Sequence, residues 1–541
     1  MIETRPANRP LNGLLRAVFA SPLYAASLGG GARSPIAASF EDPWPGGAQA
    51  ADRLFQGRYA FAGEEHRLVG APPWGLADAS PAWTAEINSF NWLRDFRAQG
   101  GETARRAARE LLRAWLAHYS GWDAVAWRPD VLGRRLAAWL CHAGFLLEDA
   151  EEDFRSAFLD HSARQARHLH RAARLGPDGA GRVAAAAGLS LAGAAFSGAS
   201  GWRERGLEYL GAETERQILR DGGHVSRDPS ALLQVFGDLV RVRAALGVSR
   251  GDVPAWLQNA LDRMAPALRF FRHGDGGLAL FNGSHEEAAD VVDALIAAAD
   301  AHGRAPALLP DTGFARIAAQ RVTLVVDAGP PPAPPFDEGA HAGPLGFEMS
   351  IGRNRLIVNC GRGYDPSWRR AGRMTAAHST LAVGETNAFG VGESGGISRR
   401  PSSVTLETTS TAEGHWIAAS HDGYRAPFGI DHRRRLYLAP GGGSLSGEDT
   451  LSGGPGGQPF AVRFHLHPEV RVSRVQGGRG ALLHLARGGW RFAAEEAPVR
   501  LEESVYLGVE GVVRRTQQLV IEGAHGGGET VVRWRLSRAD S

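Results

Sequence analysis

His341 and His378 bracket the stretch best equipped for chemistry, HAGPLGFEMSIGRNRLIVNCGRG followed by WRRAGRMTAAHSTLAV. Imidazole exchanges protons near neutral pH and also ligates metals, so a pair of histidines in short alternating runs points to acid–base or metal chemistry. Two glycine-rich loops add candidates. DGGHVSRDPSALLQ (221–234) carries His224 and Arg227, and HGDGGLALFNGSHEE (273–287) carries Asp275, Asn282 and His285. The two glycines before His224 permit backbone geometries that would present its ring, whereas Asp228 and Pro229 read as the cap and first residue of a helix. HDGYR (421–425) contributes His421 and Tyr424, and FHLHPE (464–469) sets His465 and His467 on one strand face, two metal donors without a third.

Other segments could hold a ligand rather than transform it. NSFNWLRDFRAQGG (88–101) clusters Asn91, Trp92, Arg94 and Asp95, a surface on which a sugar ring stacks while its substituents are hydrogen-bonded. WRPDVLGRRLAAW (127–139) adds Arg134 and Arg135 between two tryptophans. Each of these residues also has a plainer reading as core packing, an ion pair or a cap.

The elements that must position these groups fall into two kinds. Residues 1–80 form an irregular lead-in containing DPWPGG and APPWG. Residues 81–315 are helical: ARRAARELLRAWLAHY, LGRRLAAWLCHAGFLLE, RSAFLDHSARQARHLHRAARL, GRVAAAAGLSLAGAAF and ALLQVFGDLVRVRAAL each repeat apolar residues every three or four positions, as in helical hairpins wound into an α/α toroid. After a proline-rich stretch, PPPAPPFDEG, alternation at period two recurs in many short runs separated by glycines. Residues 316–541 are therefore expected to form an antiparallel β-sandwich, giving a multidomain α+β chain. The site is expected where the two domains meet.

Composition excludes several functions. The 541 residues hold 60 basic and 58 acidic groups, and every basic one is arginine. Without lysine there is no Schiff base, no pyridoxal attachment and no P-loop phosphate lysine. Arginine forks suit carboxylate or sulfate groups. Cys141 and Cys360 lie in different expected domains, so no disulfide framework arises. No stretch approaches the ~20 apolar residues of a membrane span. The leader LNGLLRAVFASPLYAASLGGG, with Arg5 and Arg9 upstream and Arg16 and Pro22 within, reads better as an amphipathic helix than as an export signal. No nucleic-acid partner is expected, and nothing in the chain sets an oligomeric state.

In this order, NWLRD, GRRLAAW, DGGHVSRDP, GDGGLALFN, HAGPLGFEMSIGRNRLIVNCG, TAAHSTL and HDGYR resemble the heparinase II/III family of polysaccharide lyases, from about residue 80 to 540. The resemblance implies a toroid followed by a sandwich, and β-elimination on an acidic, uronic-acid-containing glycan in the cell envelope, although the weak leader leaves a cytoplasmic place open. Such chemistry neutralises the uronate carboxylate, removes the C5 proton and protonates the leaving oxygen. Carried over by residue, it makes Tyr424, His224 and His341 the proton-transfer candidates. Arg94 and Arg227 would face the carboxylate, while Asn91, Trp92, Arg134, Arg135 and Asn282 would hold the chain. No cofactor is required. In some relatives a structural zinc is held by residues matching His341, an Asp and His378; the Asp position here is Asn359, a poorer ligand.

The departures are specific. A Tyr-His pair after the DGG loop becomes Ala231 and Leu232, an Asn-His pair becomes Arg182 and Val183, and a histidine two residues before His341 becomes Gly339. A second reading is therefore a non-catalytic glycan-binding or envelope polysaccharide-assembly protein on a lyase scaffold. A third is a hydrolase with paired carboxylates drawn from Asp95, Asp221 and Asp275.

Overall fold

The computed structural model describes residues 9–29, 36–249, 251–393, 395–475, 477–495 and 497–539. It divides into two compact units. The first takes the chain to Gln217 together with Gln234–Asp262 and Asp293–Ala301; the second takes Ile218–Leu233, Arg263–Val292 and His302 onward. The units interleave in sequence, instead of separating near residue 315. The physical reason is that both glycine-rich loops pair with the β-structure. The Gly274 amide, for example, donates to Ser350 Oγ, and the Thr312 amide donates to Asp221. Arg5 lies outside the described residues.

Among its described residues, the first unit is helical apart from a small hairpin, Arg58–Phe61 with Glu64–Arg67. Its lead-in segment also holds the helix Ala48–Phe55. In Gly101–His118, Ala104, Ala108, Leu112 and Trp115 form one buried stripe at helical spacing. The Ala-rich helix Ala180–Ala195 is buried along nearly its whole length and packs on Pro129–Cys141. Gly133 makes this possible, because a Cβ there would sit 2.3 Å from the Ala184 carbonyl oxygen. Among the described residues, no helix is long and apolar enough to cross a membrane.

Besides a two-stranded ribbon, Gly390–Val391 with Ile397–Arg399, the second unit holds two large antiparallel sheets whose inner faces share one apolar core. In spatial order, one sheet runs Val404–Thr411, Gly414–His421, Ile430–Leu438, Ser444–Gly453, Glu529–Ala539, Gly489–Ala494, Gly480–His484 and Arg471–Arg474. The other includes Val499–Tyr506, Arg514–Ala524, Pro459–Leu466, Asn354–Val358, Phe347–Ile351 and Val322–Asp327. Strand Ile430–Leu438 shows how the sequence writes this: Ile430, His432, Arg434, Leu436 and Leu438 point inward, Arg433 and Arg435 outward.

Two of those inward residues are polar, and Asp449 satisfies both. His432 Nε2 lies 2.8 Å from its carboxylate, Arg434 donates through Nε and Nη2, and the Trp534 indole donates at 3.0 Å. Arg434 also donates to the carbonyls of Leu345 and Ser379, joining the two sheets. Removing one partner of a buried charge pair leaves the other stranded, which costs more than the pair contributes. Asp449→Ala is expected to destabilise this unit by about 3–5 kcal/mol, with Asp449→Asn intermediate, as read from urea unfolding. Equal midpoints for all three proteins would contradict this role.

Candidate functional site

His341 and His378 are brought together in the second unit, with His341 Nδ1 3.0 Å from His378 Nε2. Close approach is possible because Gly343 has no side chain; a Cβ there would lie 2.4 Å from the His378 ring. The tautomers follow from the partners. His378 Nδ1 lies 2.8 Å from the Met374 carbonyl, which only accepts, so Nδ1 carries the proton and Nε2 of the neutral ring accepts. His341 must then donate from Nδ1, leaving its lone pair on Nε2. Burial disfavours the imidazolium of both, holding His378 at about 4 and His341 well below the usual range, where its neighbour's charge adds to the effect. Both are neutral at pH 7.

The 221–234 loop is pinned beside this pair by its own arginine. Arg227, at φ 59°, donates to the carbonyls of Thr312 and Gly313, forms a buried ion pair with Asp327 at 2.5 Å, and lies over the Phe314 ring. With Nε and Nη2 bonded within the protein and the side chain buried, it is held away from the carboxylate-binding role expected of it. Asn282 bridges onward: Nδ2 donates to the Arg227 carbonyl and Oδ1 accepts from the His341 amide. It positions His341 and has no amide group aimed at a ligand. His224 is buried, and its Nδ1 receives the Ser226 amide, so the neutral ring is protonated on Nε2. Burial holds it at about 4.

Tyr424 is fully buried in the sandwich core, and its hydroxyl donates to the Leu381 carbonyl. Loss of solvent pushes its pKa up. A sealed phenol of raised pKa is unsuited to the proton transfer expected of it. Asn359 corrects the metal expectation. Its Oδ1 accepts from the Ser379 amide and its Nδ2 donates to the Leu280 carbonyl, so the amide is committed to backbone. Among the described residues no three His, Cys, Asp or Glu side chains group around a metal position, and the donors present do not fit a structural zinc. His465 is likewise committed, to Ser504 and the Ala376 carbonyl.

Sequence reasoning missed Asp228 by stopping at its role as a cap. Its Oδ1 does cap the helix Pro229–Val248, accepting from the amides of Ser230 and Ala231. Burial also pushes it up to about 7, despite the nearby cation of Arg362. A Cβ placed on Gly283 would meet Arg362 Cδ at 3.6 Å, the Gly339 carbonyl oxygen at 3.6 Å and Asp228 Oδ2 at 3.7 Å, so these three groups converge there. The charge of Arg362 also bears on His341 and His285, and the His285 ring stacks on Tyr364 at 5.2 Å. Ser230 Oγ donates to Glu287, whose carboxyl is also raised by burial. The set is one exposed arginine, a half-neutral aspartate and neutral imidazoles. It can receive an anion at Arg362 and hold a proton at Asp228.

The helical-unit candidates separate on burial. Trp92 is 3% exposed, with its indole donating to the Ile87 carbonyl, and Arg135 is fully buried over Trp115, donating to Gln165 and the Asn88 carbonyl. Both are core groups, contrary to the ligand-binding expectation. Asn91 donates to Glu86, and Arg94 donates through Nε to the Asn91 carbonyl while lying over Trp44. Arg134 is half-buried, and its charge, like that of Arg94, bears on Asp238. Arg182 pairs with Asp178, and Val183 is core. The carboxylates of the hydrolase reading are each committed: Asp95 to the Gly47 amide, Asp221 to Thr312 and Asp275 to Arg355.

The depressed histidines have a consequence for stability. Since His224, His285 and His378 sit at about 4 and His465 at about 3, the unfolded chain binds more protons than the folded one once pH falls below 6.5. Their contribution is whole above pH 6.5 and is lost as pH falls toward 4. Asp228, raised to about 7, works in the opposite sense together with Asp95, Asp238, Glu287 and Asp327, but the histidines lowered by burial, which also include His168, His273, His341, His421 and His432, outnumber them. The Tm is expected to fall between pH 6.5 and 4; a Tm constant across that window would contradict the burial of neutral imidazoles.

Comparison with known proteins gives concordant matches. The family described as Heparinase II/III N-terminus matches residues 92–302, and Heparinase II/III-like, C-terminal matches 301–535. FtsZ-localized protein C of Caulobacter vibrioides (strain NA1000 / CB15N) is 31% identical over 534 residues, covering 93% of this chain and 90% of its own. Among solved structures, heparinase III aligns with a TM-score of 0.72 at 15% identity over 99% of this chain and 92% of its own. Heparan sulfate lyase HepC from Pedobacter heparinus aligns at 0.58 and 16% over 91% and 83%. At these identities the likeness is one of fold, a helical toroid followed by an antiparallel sandwich.

Proposed function

The chain belongs to the heparinase II/III-like family, and from that premise we propose that it keeps the lyase scaffold without β-elimination, serving as a non-catalytic acidic-glycan-binding protein of envelope assembly. The observation that carries this reading is the lack of a competent base. The positions matching the family's Tyr-His pair are Ala231 and Leu232, and the nominated phenol, Tyr424, is sealed in the core with its proton on the Leu381 carbonyl. The imidazoles do not replace them. A base whose conjugate acid has a pKa of about 4, as for His224, has little driving force to remove a proton from carbon. Arg362 remains exposed for an anionic sugar.

The relative's name supports a place of action. FtsZ-localized protein C is similar along nearly its whole length, and by this reading the present protein also localises with FtsZ. One observation favours a catalytic alternative: Asp228, at about 7 and near Arg362, could exchange a proton at neutral pH. In that case it would replace the tyrosine as base.

The test incubates the protein with heparan sulfate, alginate and polygalacturonate, following both ultraviolet absorbance of the unsaturated uronate and retention on the immobilised glycan. Glycan retention without unsaturated product is expected, weakened by Arg362→Ala, and a fluorescent fusion should overlap FtsZ in dividing cells. Product that disappears in Asp228→Asn would replace this reading with the catalytic one.

A further inference from the structure

The outer face of the eight-stranded sheet carries an aromatic and arginine pattern that the His341 region does not use. Register places Trp416, Tyr437, Ser446 and Arg535 directly opposite one another on four adjacent strands. Trp416 is 36% exposed, and its ring lies 4.9 Å from that of Tyr437 at a shallow 37°. The Tyr437 hydroxyl donates to the Glu413 carbonyl, which holds the ring down against the sheet. Strands lie about 4.8 Å apart, so the row from indole to guanidinium spans about 14 Å.

The neighbouring row reads Ala418, Arg435, Glu448 and Arg533. Glu448 binds both arginines and is thereby used up. Arg433, Arg535 and Arg491 are exposed, and their side chains form no ion pair or hydrogen bond among the described residues. The other acids near this face are Glu407 on the edge strand, Glu495 just past a strand end opposite Arg533, and Asp431 with Glu529 at the far end, where Arg425 takes Asp431; Glu495 forms no ion pair with Arg535 among the described residues. Between the arginines the outward residues are small, Ser420, Thr450, Ser446 and Ala493. The result is a sheet face with an aromatic platform at one side and guanidinium groups along it that no acid among the described residues pairs.

We propose that this sheet face is a second binding surface for an acidic polysaccharide, with sugar rings stacking on Trp416 and Tyr437 while Arg433, Arg535 and Arg491 receive carboxylate or sulfate groups. Aromatic faces suit the apolar side of a sugar ring, and planar guanidinium matches carboxylate two-pronged. A single large exposed apolar group on this face gives little to insert into a bilayer, and a sheet face without a projecting element does not enter a nucleic-acid groove. The proposal takes its ligand class from the function proposed above, but it concerns a different surface and its fate can be separated.

The test uses affinity electrophoresis in gels containing polygalacturonate, with dextran gels as the uncharged control. The folded wild type is compared with Trp416→Ala, with the double variant Arg433→Ser/Arg535→Ser and with Arg362→Ala, circular dichroism checking each fold. Retardation by polygalacturonate but not dextran is expected, weakened about tenfold by Trp416→Ala or by the double variant. Retardation that both sheet variants leave unchanged while Arg362→Ala abolishes it would overturn this proposal and leave the earlier reading standing. Equal or tighter binding of the wild type to duplex DNA or to phosphatidylserine vesicles at the same ionic strength would overturn it too. Loss in the sheet variants alone would support the sheet face and count against Arg362.

Discussion

The buried ion pair between Arg227 and Asp327 is the contact on which the His341 site depends. A buried guanidinium must replace its lost hydration with acceptors, and here two carbonyls and a carboxylate take Nε and Nη2. This fixes the loop at a left-handed backbone turn, and Asn282 carries the constraint from the Arg227 carbonyl to the His341 amide. His224, Asp228 and His341 are therefore placed by one chain of hydrogen bonds. An arginine expected to meet a ligand instead holds the frame in which a ligand would sit.

The same low-polarity interior decides what the site can do. Burial keeps the imidazoles neutral and weakly basic, whereas it keeps Asp228 partly protonated. A lyase site separates these roles by giving the base a phenol or imidazole of suitable pKa and the carboxylate a cation. Here an exposed cation is present, at Arg362, while Tyr424 is sealed in the core. Neutral histidines that hydrogen-bond one another, as His341 and His378 do, stabilise the scaffold, and burial keeps them weak bases.

How much of this was legible depended on the range of the interaction. The helical and alternating periods that separate the two kinds of structure are local, and the burial of Ala104, Ala108, Leu112 and Trp115 or the alternation through Ile430–Leu438 follows from them. Short-range patterns also nominated His341 and His378, whose rings the fold brings to 3.0 Å. What they could not give is which partner a charged group finds: Asp327 lies a hundred residues from Arg227, and Gln165 lies thirty from Arg135. Trp92 and Tyr424 misled because an aromatic at a helix or strand end reads alike whether it faces solvent or core. Asp228 was overlooked because one correct role, the cap, concealed the second.

The central claim is that the scaffold lacks a base able to remove the C5 proton of a uronate. Its most direct test is exchange of that proton with solvent deuterium, followed by NMR on a short uronate oligosaccharide held by the protein in D2O, since abstraction registers there even when bond cleavage does not follow. No exchange above the protein-free rate is predicted while the oligosaccharide is bound. Wash-out of the C5 proton, abolished by a single substitution in the site, would contradict the account.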